Sequence, residues 1–156
     1  MILSVIIVNY NVKHFLEQCL NSVFASDRNL ANGGSLEIET IVVDNNSVDG
    51  SVEMVQEKFP EVVCIANKDN PGFAKANNQA LKIAKGDYLL LLNPDTIVEK
   101  NTFVKCINFM MEHKDCGALG VKMINGEGKF LPESKRGFPT PEVAFYKISG
   151  LIKLFP

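Results

Sequence analysis

Three short polar segments of this sequence carry side chains suited to binding a ligand. They are Asn9-Tyr10-Asn11, residues 44–49 (DNNSVD) and residues 93–96 (NPDT), and each directly follows an apolar run. Because ligands bind beyond the carboxyl ends of the strands in an open parallel sheet, we expect the three segments to converge there. Each segment alone is typical of a turn that caps a helix, so the prediction depends on their convergence.

A fourth segment, residues 70–75 (NPGFAK), leads into a predicted helix with a lysine in its first turn. The amino terminus of a helix presents free amide donors and a partial positive charge, and Lys75 adds a full charge. This helix end therefore suits a diphosphate. The same residues also fit an ordinary helix start with a lysine on the surface.

Two carboxylates and one aromatic ring complete the predicted ligand site. Asp95 follows the most apolar run, where a carboxylate can hold Mg²⁺ or Mn²⁺ against phosphate oxygens. Asp44 is placed to accept hydrogen bonds from a base or a ribose. Tyr10 either packs on the base or packs under a loop. His14 and His113 lie far apart on predicted helix surfaces, and neither is a convincing catalyst.

Composition and motifs exclude several classes of protein. With 16 basic and 18 acidic residues the net charge is -2, and no basic patch suits nucleic acid. The first strand-to-helix turn lacks Gly-x-Gly-x-x-Gly, and no Gly-x-x-x-x-Gly-Lys-Ser/Thr follows, which argues against the usual dinucleotide and P-loop sites. At 156 residues and 46% apolar content, the chain is long enough to bury a core without disulfides.

The cysteines and the amino terminus indicate a cytoplasmic protein. The four cysteines are scattered without a Cys-x-x-Cys pair, so we interpret them as buried thiols in a reducing compartment; they are Cys19, Cys64, Cys106 and Cys116. The first residues, MILSVIIVNYN, have no basic leader and too short an apolar run for a signal peptide or a membrane span.

Apolar runs alternate with amphipathic helical stretches along the chain. This alternation predicts the α/β class, with a mostly parallel sheet and helices on both faces. The predicted strands are residues 3–8, 38–43, 62–66, 88–92 and 117–123, and the predicted helices are residues 15–24, 51–59, 73–84 and 100–112. The run at 88–92 is the most apolar, which favours the centre of the sheet. Asn125-Gly126 predicts a hairpin in which residues 129–131 return.

Five blocks of sequence, in this order and spacing, resemble the inverting family 2 glycosyltransferases. The blocks are VNYN, VVDNNSVDGS, NPGFAKANNQA, GDYLLLLNPDT and GALGVKM. They resemble most the rhamnosyltransferase-like branch, which builds bacterial surface polysaccharides. The resemblance covers residues 3 to 136. It implies the GT-A (Rossmann-like) fold, a dTDP-, UDP- or GDP-sugar donor with rhamnose on dTDP as the guess from the branch, and a glycan or lipid-linked acceptor.

The resemblance also implies roles for individual residues. The nucleotide-sugar contacts that it places on this chain are Val8, Asn9, Tyr10, Asp44, Asn46, Gly72, Lys75, Asn77 and Asp95. Asp95 takes the position of the metal-binding aspartate of the Asp-x-Asp motif. Asn93 replaces the first aspartate, so binding of Mg²⁺ or Mn²⁺ rests on Asp95 and the donor phosphates.

The family's general base belongs to an acceptor-binding half, which we expect beyond Pro156. Residues 1–136 are therefore predicted to form the nucleotide-sugar domain, and residues 137–156 the start of an acceptor-side region that is cut short. The alternative is a non-catalytic fragment that binds nucleotide or a partner. The apolar residues 143–155 then have three interpretations: core of the absent half, a partner surface, or contact with the inner face of the membrane.

Overall fold

The computed structural model describes residues 1–131 of the chain. It divides after Cys116 into two units, which are described separately. The elements of the first unit are β1 (Ile2–Asn9), α1 (Lys13–Phe24), β2 (Glu37–Asp44), α2 (Ser51–Lys58), β3 (Val63–Ala66), α3 (Phe73–Leu81), β4 (Tyr88–Leu92) and α4 (Thr102–Glu112). Four predicted strands and four predicted helices are confirmed, with ends that differ by a few residues.

The sheet of the first unit is parallel throughout and has the strand order β3-β2-β1-β4. The register pairs Asn9 with Asp44, so β1 and β2 end side by side. Ile7 of β1 pairs with Leu92 at the end of β4. The charge-free residues 3–7 are buried, as expected for a strand that helices cover on both faces.

Helices cover both faces of the sheet, as predicted. On one face α1, α2 and α4 pack in the larger apolar cluster with Val5, Ile7 and Val42. On the other face Ala76 and Ala80 of α3 pack in a second cluster, whose strand residues are Ile6, Ile41 and Val43. None of the helices within residues 1–131 is both long and apolar enough to cross a bilayer.

The predicted central position of β4 is wrong for the described residues, because β4 lies at the edge of their sheet. Tyr88, Leu90 and Leu92 pack on the larger cluster. Leu89 and Leu91 point to the opposite face and are 53% and 51% exposed, since α3 packs over β1 and β2. The apolarity of a strand therefore did not reveal its place in the sheet.

The second unit contains the predicted hairpin but not the predicted fifth strand. Ile124 and Phe130 form an antiparallel bridge. The Asn125 amide donates to the Lys129 carbonyl at 2.8 Å, and the Leu131 amide to the Met123 carbonyl at 3.0 Å. Residues 117–123 join no strand of the described sheet, and a strand needs a neighbour to satisfy its backbone. The predicted boundary at residue 136 and residues 143–155 lie outside the described residues.

The amino-terminal edge of the sheet is fastened where the chain enters β4. Ser4 Oγ donates to Glu39 Oε2 and accepts from the Gly86 amide at 2.8 Å. The Lys85 amide donates to the same Glu39 oxygen at 2.9 Å. A Cβ on Gly86 would lie 2.5 Å from the Ser4 amide nitrogen and 2.6 Å from the Tyr88 carbonyl oxygen. Only glycine fits here without a shift of the backbone.

We expect Gly86→Ala to destabilise the chain by about 1–3 kcal/mol, because the added methyl group overpacks a site lined by backbone. Gly117→Ala is the matched control, since a Cβ there meets nothing within 4 Å. Urea unfolding of both variants measures the difference. Equal stability of the two variants would contradict the close approach of Gly86 to β1.

We expect Glu39 to make the free energy of unfolding depend on pH. Burial by itself raises the pKa of Glu39, but hydrogen bonds from the Ser4 hydroxyl and the Lys85 amide hold the pKa below its usual value. A depressed folded pKa contributes stability above the unfolded pKa of about 4.3, and this stability is lost as the pH falls through the folded pKa.

Glu39→Gln should therefore flatten the loss of unfolding free energy between about pH 5 and pH 3. Glu37→Gln, at an exposed position of the same strand, is the control and should leave the slope as it is. Unfolding in urea over this pH range measures both slopes. Parallel slopes for wild type and Glu39→Gln would refute the stabilising role of this carboxylate.

Candidate functional site

The predicted site segments lie at one edge of the sheet, where the strands end. Asn9 ends β1 beside Asp44, which ends β2, and Asn93 directly follows β4. Neighbouring strands lie about 4.8 Å apart, so the ends of β2 and β4 are separated by roughly 10 Å across β1. The topology thus brings together the segments that the sequence indicated.

Asp44 is a buried carboxylate, 1% exposed, with a hydrogen bond to each oxygen. Oδ2 accepts from Asn9 Nδ2 at 2.7 Å, and Oδ1 accepts from the Ser47 amide at 2.8 Å. Burial, and then the charge of Asp44, raise the pKa of the nearby Cys64 thiol. Asp44 therefore joins the end of β1 to the turn after β2, besides any contact with a ligand.

Further hydrogen bonds lock the β1–α1 turn to the β2–α2 turn. The Asn11 amide donates to Ser47 Oγ at 2.9 Å, and the Val48 amide donates to Asn11 Oδ1 at 2.8 Å. Asn11 and Asn46 have φ of 54° and 64°, in the left-handed region that asparagine tolerates. These hydrogen bonds join the two turns at this edge of the sheet.

Asp49 connects the β2–α2 turn to the starts of α1 and α2. Its Oδ2 accepts from the Lys13 amide at 2.8 Å, and its Oδ1 accepts from the Ser51 amide at 3.1 Å. Burial raises the pKa of Asp49, but these bonds and one from the Ser51 hydroxyl outweigh it and lower the pKa below its usual value. The negative charge persists at neutral pH, at the positive end of α2.

The residues around Asp44 differ in exposure. Tyr10 is 50% exposed at the exit of β1, so its ring is accessible for stacking. Val8 packs against the second apolar cluster, below α3. Asn9 is fully buried, and among the described residues its Oδ1 has no hydrogen-bond partner. Asn46 is exposed on the turn.

The start of α3 presents backbone donors beside an exposed lysine. Gly72 has φ 87° and ψ 167°, a conformation that L side chains rarely adopt, and its carbonyl accepts from the Ala76 amide at 3.1 Å. The amides before Ala76 have no partner in the helix ladder. Lys75 is exposed in this turn. Asn77 is buried and donates from Nδ2 to the Phe73 carbonyl at 2.9 Å.

The turn after β4 is fixed against α1. The Asn93 carbonyl accepts from the Cys19 thiol at 3.6 Å and from the Thr96 amide at 3.2 Å. Burial and the nearby Asp95 carboxylate raise the pKa of Cys19 to about 12, so the thiol stays protonated. Asp95 itself is exposed.

A divalent cation fits this turn only if the ligand helps to hold it. Within residues 1–131 no group of three His, Cys, Asp or Glu side chains is placed to hold a metal ion. Mg²⁺ is commonly bound by one or two carboxylates together with substrate phosphates and water. Asp95 supplies one such carboxylate.

Sequence reasoning missed the hydrogen bonding within a group of amide side chains. It correctly placed the two histidines on helix surfaces. The group consists of Asn45, Asn67, Asn70 and Gln79, which are hydrogen-bonded to one another between the strand ends and α3. Asn45 and Asn70 lie in the predicted site segments, whereas Asn67 and Gln79 were not singled out. Asn67 follows β3, so the rule of strand ends was available to find it. His14 meets Gln18 and His113 packs on Phe109, both on helix surfaces.

A parallel sheet with helices on both faces, carrying acidic and amide groups at its carboxyl edge, is the arrangement of the open α/β folds that bind nucleotides at that edge. The sequence profile described as "Glycosyl transferase family 2" matches residues 4–153. The chain therefore belongs to glycosyl transferase family 2.

Several proteins of bacterial cell walls are similar to this chain. The minor teichoic acid biosynthesis protein GgaB of Bacillus subtilis (strain 168) is 35% identical over 72% of the chain and 12% of its own length. The poly(ribitol-phosphate) beta-glucosyltransferase of Bacillus spizizenii is 31% identical over 90% of the chain and 22% of its own length. The chain thus spans less than a quarter of these two relatives.

A solved structure supports the fold. The crystal structure of Staphylococcus aureus TarS residues 1–349 in complex with UDP-GlcNAc has a TM-score of 0.68 and 29% sequence identity. It covers 90% of this chain, which spans 37% of that one. The predicted GT-A fold is confirmed. The name of GgaB refers to teichoic acid, and those of the Bacillus spizizenii enzyme and of TarS, a poly(ribitol-phosphate) beta-N-acetylglucosaminyltransferase, refer to poly(ribitol-phosphate). None of the three is described as a rhamnosyltransferase.

We expect Asp44 and Asp95 to differ sharply in their effect on stability. Asp44→Asn replaces the charge that accepts from Asn9 and from the Ser47 amide with a neutral group that has a single acceptor oxygen, so the two charge-assisted bonds cannot both be kept. The expected loss of unfolding free energy is about 1–3 kcal/mol.

Asp95→Asn is the control at an exposed position and should stay within about 0.5 kcal/mol of wild type. Chemical unfolding without ligand measures both variants. Full stability of Asp44→Asn would mean that the carboxylate does not hold the turn, and that its role lies with the ligand alone.

Proposed function

We propose that this chain carries the donor half of a glycosyltransferase that moves a sugar from a nucleotide-diphosphate donor to a glycan or lipid-linked acceptor, with inversion, in cell-surface polysaccharide synthesis. One observation carries the proposal: in a chain of family 2, the Asp44 turn and the lysine-bearing start of α3 lie on the same edge of the sheet. The site of action is cytoplasmic, at the inner face of the membrane.

The base and ribose bind beside the locked turns. Tyr10 stacks on the base with the exposed half of its ring. Asp44 and Asn46 contact the base or the ribose from the turn after β2, and Val8 and Asn9 contact the nucleotide from the end of β1. Because hydrogen bonds already hold Asp44 in place, this contact requires no reorganisation of the carboxylate.

The diphosphate binds at the start of α3. The backbone amides after Gly72 donate to phosphate oxygens, and the positive end of the helix adds to the attraction. Lys75 supplies a full positive charge from its exposed position. Asn77 sits one turn further along the helix and supports the first turn through its bond to the Phe73 carbonyl.

In this proposal Asp95 would hold Mg²⁺ or Mn²⁺ together with the donor phosphates. A bound cation would supply positive charge to stabilise the departing diphosphate. Asn93 brings an amide where a second carboxylate would stand, so affinity for the free metal should be low.

In the inverting transfer, the acceptor oxygen bonds to the anomeric carbon while the bond from that carbon to the diphosphate breaks. A general base takes the proton of the acceptor hydroxyl. We place that base beyond Pro156. Lys75 and the α3 amides stabilise the negative charge that develops on the leaving diphosphate.

We favour a UDP-sugar as the donor, because TarS, with 29% identity over 90% of the chain, is solved in complex with UDP-GlcNAc. The rhamnosyl branch predicts dTDP-rhamnose as the competing donor. A cell-wall polymer of the kind named in the relatives, poly(ribitol-phosphate), is the acceptor to test first.

The experiment is thermal unfolding of the 156-residue chain with UDP, dTDP, GDP and ADP, each with and without Mn²⁺ or Mg²⁺. A ligand at a hundred times its Kd adds about 2.7 kcal/mol, which moves the midpoint by on the order of 5–10 °C. We expect a selective shift with UDP that grows with the metal. Lys75→Ala should reduce the shift, and Asp95→Asn should remove the part that depends on the metal.

Lys82→Ala is the matched control, because Lys82 is an exposed lysine at the other end of α3. Absence of a shift with every nucleotide would refute the donor site. Because the general base is placed beyond Pro156, turnover is tested on the whole protein. Binding of UDP by the whole protein without release of UDP from a UDP-sugar in the presence of acceptor would favour the alternative, a non-catalytic module that binds nucleotide sugar.

A further inference from the structure

The side-chain amides between the strand ends and α3 form a continuous hydrogen-bonded series, here called the amide chain. Its members are Asn70, Asn45, Asn67 and Gln79. Asn67 Nδ2 donates to Asn45 Oδ1 at 3.0 Å and to Gln79 Oε1 at 2.9 Å. Gln79 Nε2 donates back to Asn67 Oδ1 at 3.0 Å, and Asn45 Nδ2 donates to Asn70 Oδ1 at 3.2 Å.

A backbone group fixes the direction of the amide chain. The Gly72 amide donates to Asn70 Oδ1 at 3.0 Å, and a backbone N–H can only donate. Asn70 must therefore present its oxygen, so Asn45 must turn its nitrogen towards Asn70 and its oxygen towards Asn67. Asn67 in turn must donate to both neighbours. No member can flip without breaking a bond at the next one.

The amide chain links the Asp44 turn to two points of α3. Asn45, 2% exposed, directly follows Asp44. At one end the amide chain contacts the Gly72 amide at the start of α3. At its other end it includes Gln79, two turns later in the same helix. The backbone adds one more tie, since the Asn67 amide donates to the Asp44 carbonyl at 2.8 Å.

We propose that the amide chain sets the spacing between the base-binding and diphosphate-binding parts of the nucleotide site. Asn45, Asn67 and Gln79 are its positioning residues. This inference rests on the proposed function. Misplacement of a group by about 1 Å can cost a hundredfold in function. If the first turn of α3 could shift relative to the Asp44 turn, it would therefore bind the diphosphate poorly.

Gln79→Glu tests the direction of the amide chain. The glutamate keeps the length of the side chain and an acceptor for Asn67 Nδ2, but places an oxygen where Nε2 donates to Asn67 Oδ1. A flip of Asn67 does not relieve that contact, because Asn67 Oδ1 then faces the other glutamate oxygen and the bond from Asn67 Nδ2 to Asn45 Oδ1 is lost. Gln79→Met removes both bonds without adding a charge.

The readout is the affinity of the 156-residue chain for UDP and for uridine, each measured by calorimetry. We expect both Gln79 variants to lose about tenfold in affinity for UDP, the equivalent of one buried hydrogen bond. Affinity for uridine should stay within about twofold, because the Asp44 side of the site keeps its own bonds. Gln56→Glu is the control, an exposed glutamine of α2 that undergoes the same change of charge.

Each other outcome overturns the inference in a distinguishable way. Equal losses for UDP and uridine would show a general structural role. A loss in Gln79→Glu with none in Gln79→Met would show an effect of charge. Wild-type chain that binds neither UDP nor any other nucleoside diphosphate would refute the proposed function itself. Circular dichroism establishes that the variants compared are folded.

Discussion

A buried carboxylate at the end of a strand is the constraint on which the carboxyl edge depends. Removing Asp44 from water is costly unless its oxygens accept hydrogen bonds, and these come from Asn9 and the Ser47 amide. The need to satisfy one charge thus fixes the ends of β1 and β2 and the turn that follows. The placement of Tyr10, Asn46 and the start of α2 follows from that turn.

The two kinds of polar contact at this edge do different work. Charge-assisted bonds to Asp44 and Asp49 are strong and fix the turns to the sheet and to α1 and α2. The neutral amide chain carries the connection onward to α3, where a diphosphate is proposed to bind. Another buried carboxylate there would repel the phosphates, whereas amides transmit position without adding negative charge. The distribution of Asp and Asn along this edge is consistent with an anionic ligand.

Local sequence predicted what depends on a few neighbouring residues and failed where distant partners decide. The buried β1 and the hairpin after Asn125 follow from runs and turn residues, so both were predicted. The edge position of β4 depends on what lies beside it, which its own leucines do not report. Gly86 follows the predicted helix 73–84, and nothing in the neighbouring sequence indicates its close approach to Ser4, which exists only once β1 and β4 pair. The amide chain was missed because its hydrogen-bonded members lie 12 to 25 residues apart in the sequence.

The unpartnered oxygen of Asn9 follows from the same constraint. Asn9 Nδ2 donates both to Asp44 Oδ2 and to Ser47 Oγ, so the position needs two N–H donors on a short side chain. Lysine and arginine supply donors but are long and charged, and serine supplies one donor only. Asparagine is the small neutral choice, and within residues 1–131 its Oδ1 has no hydrogen-bond partner. Satisfying the carboxylate therefore commits the N–H donors of Asn9 and leaves this oxygen for the nucleotide contact proposed for Asn9.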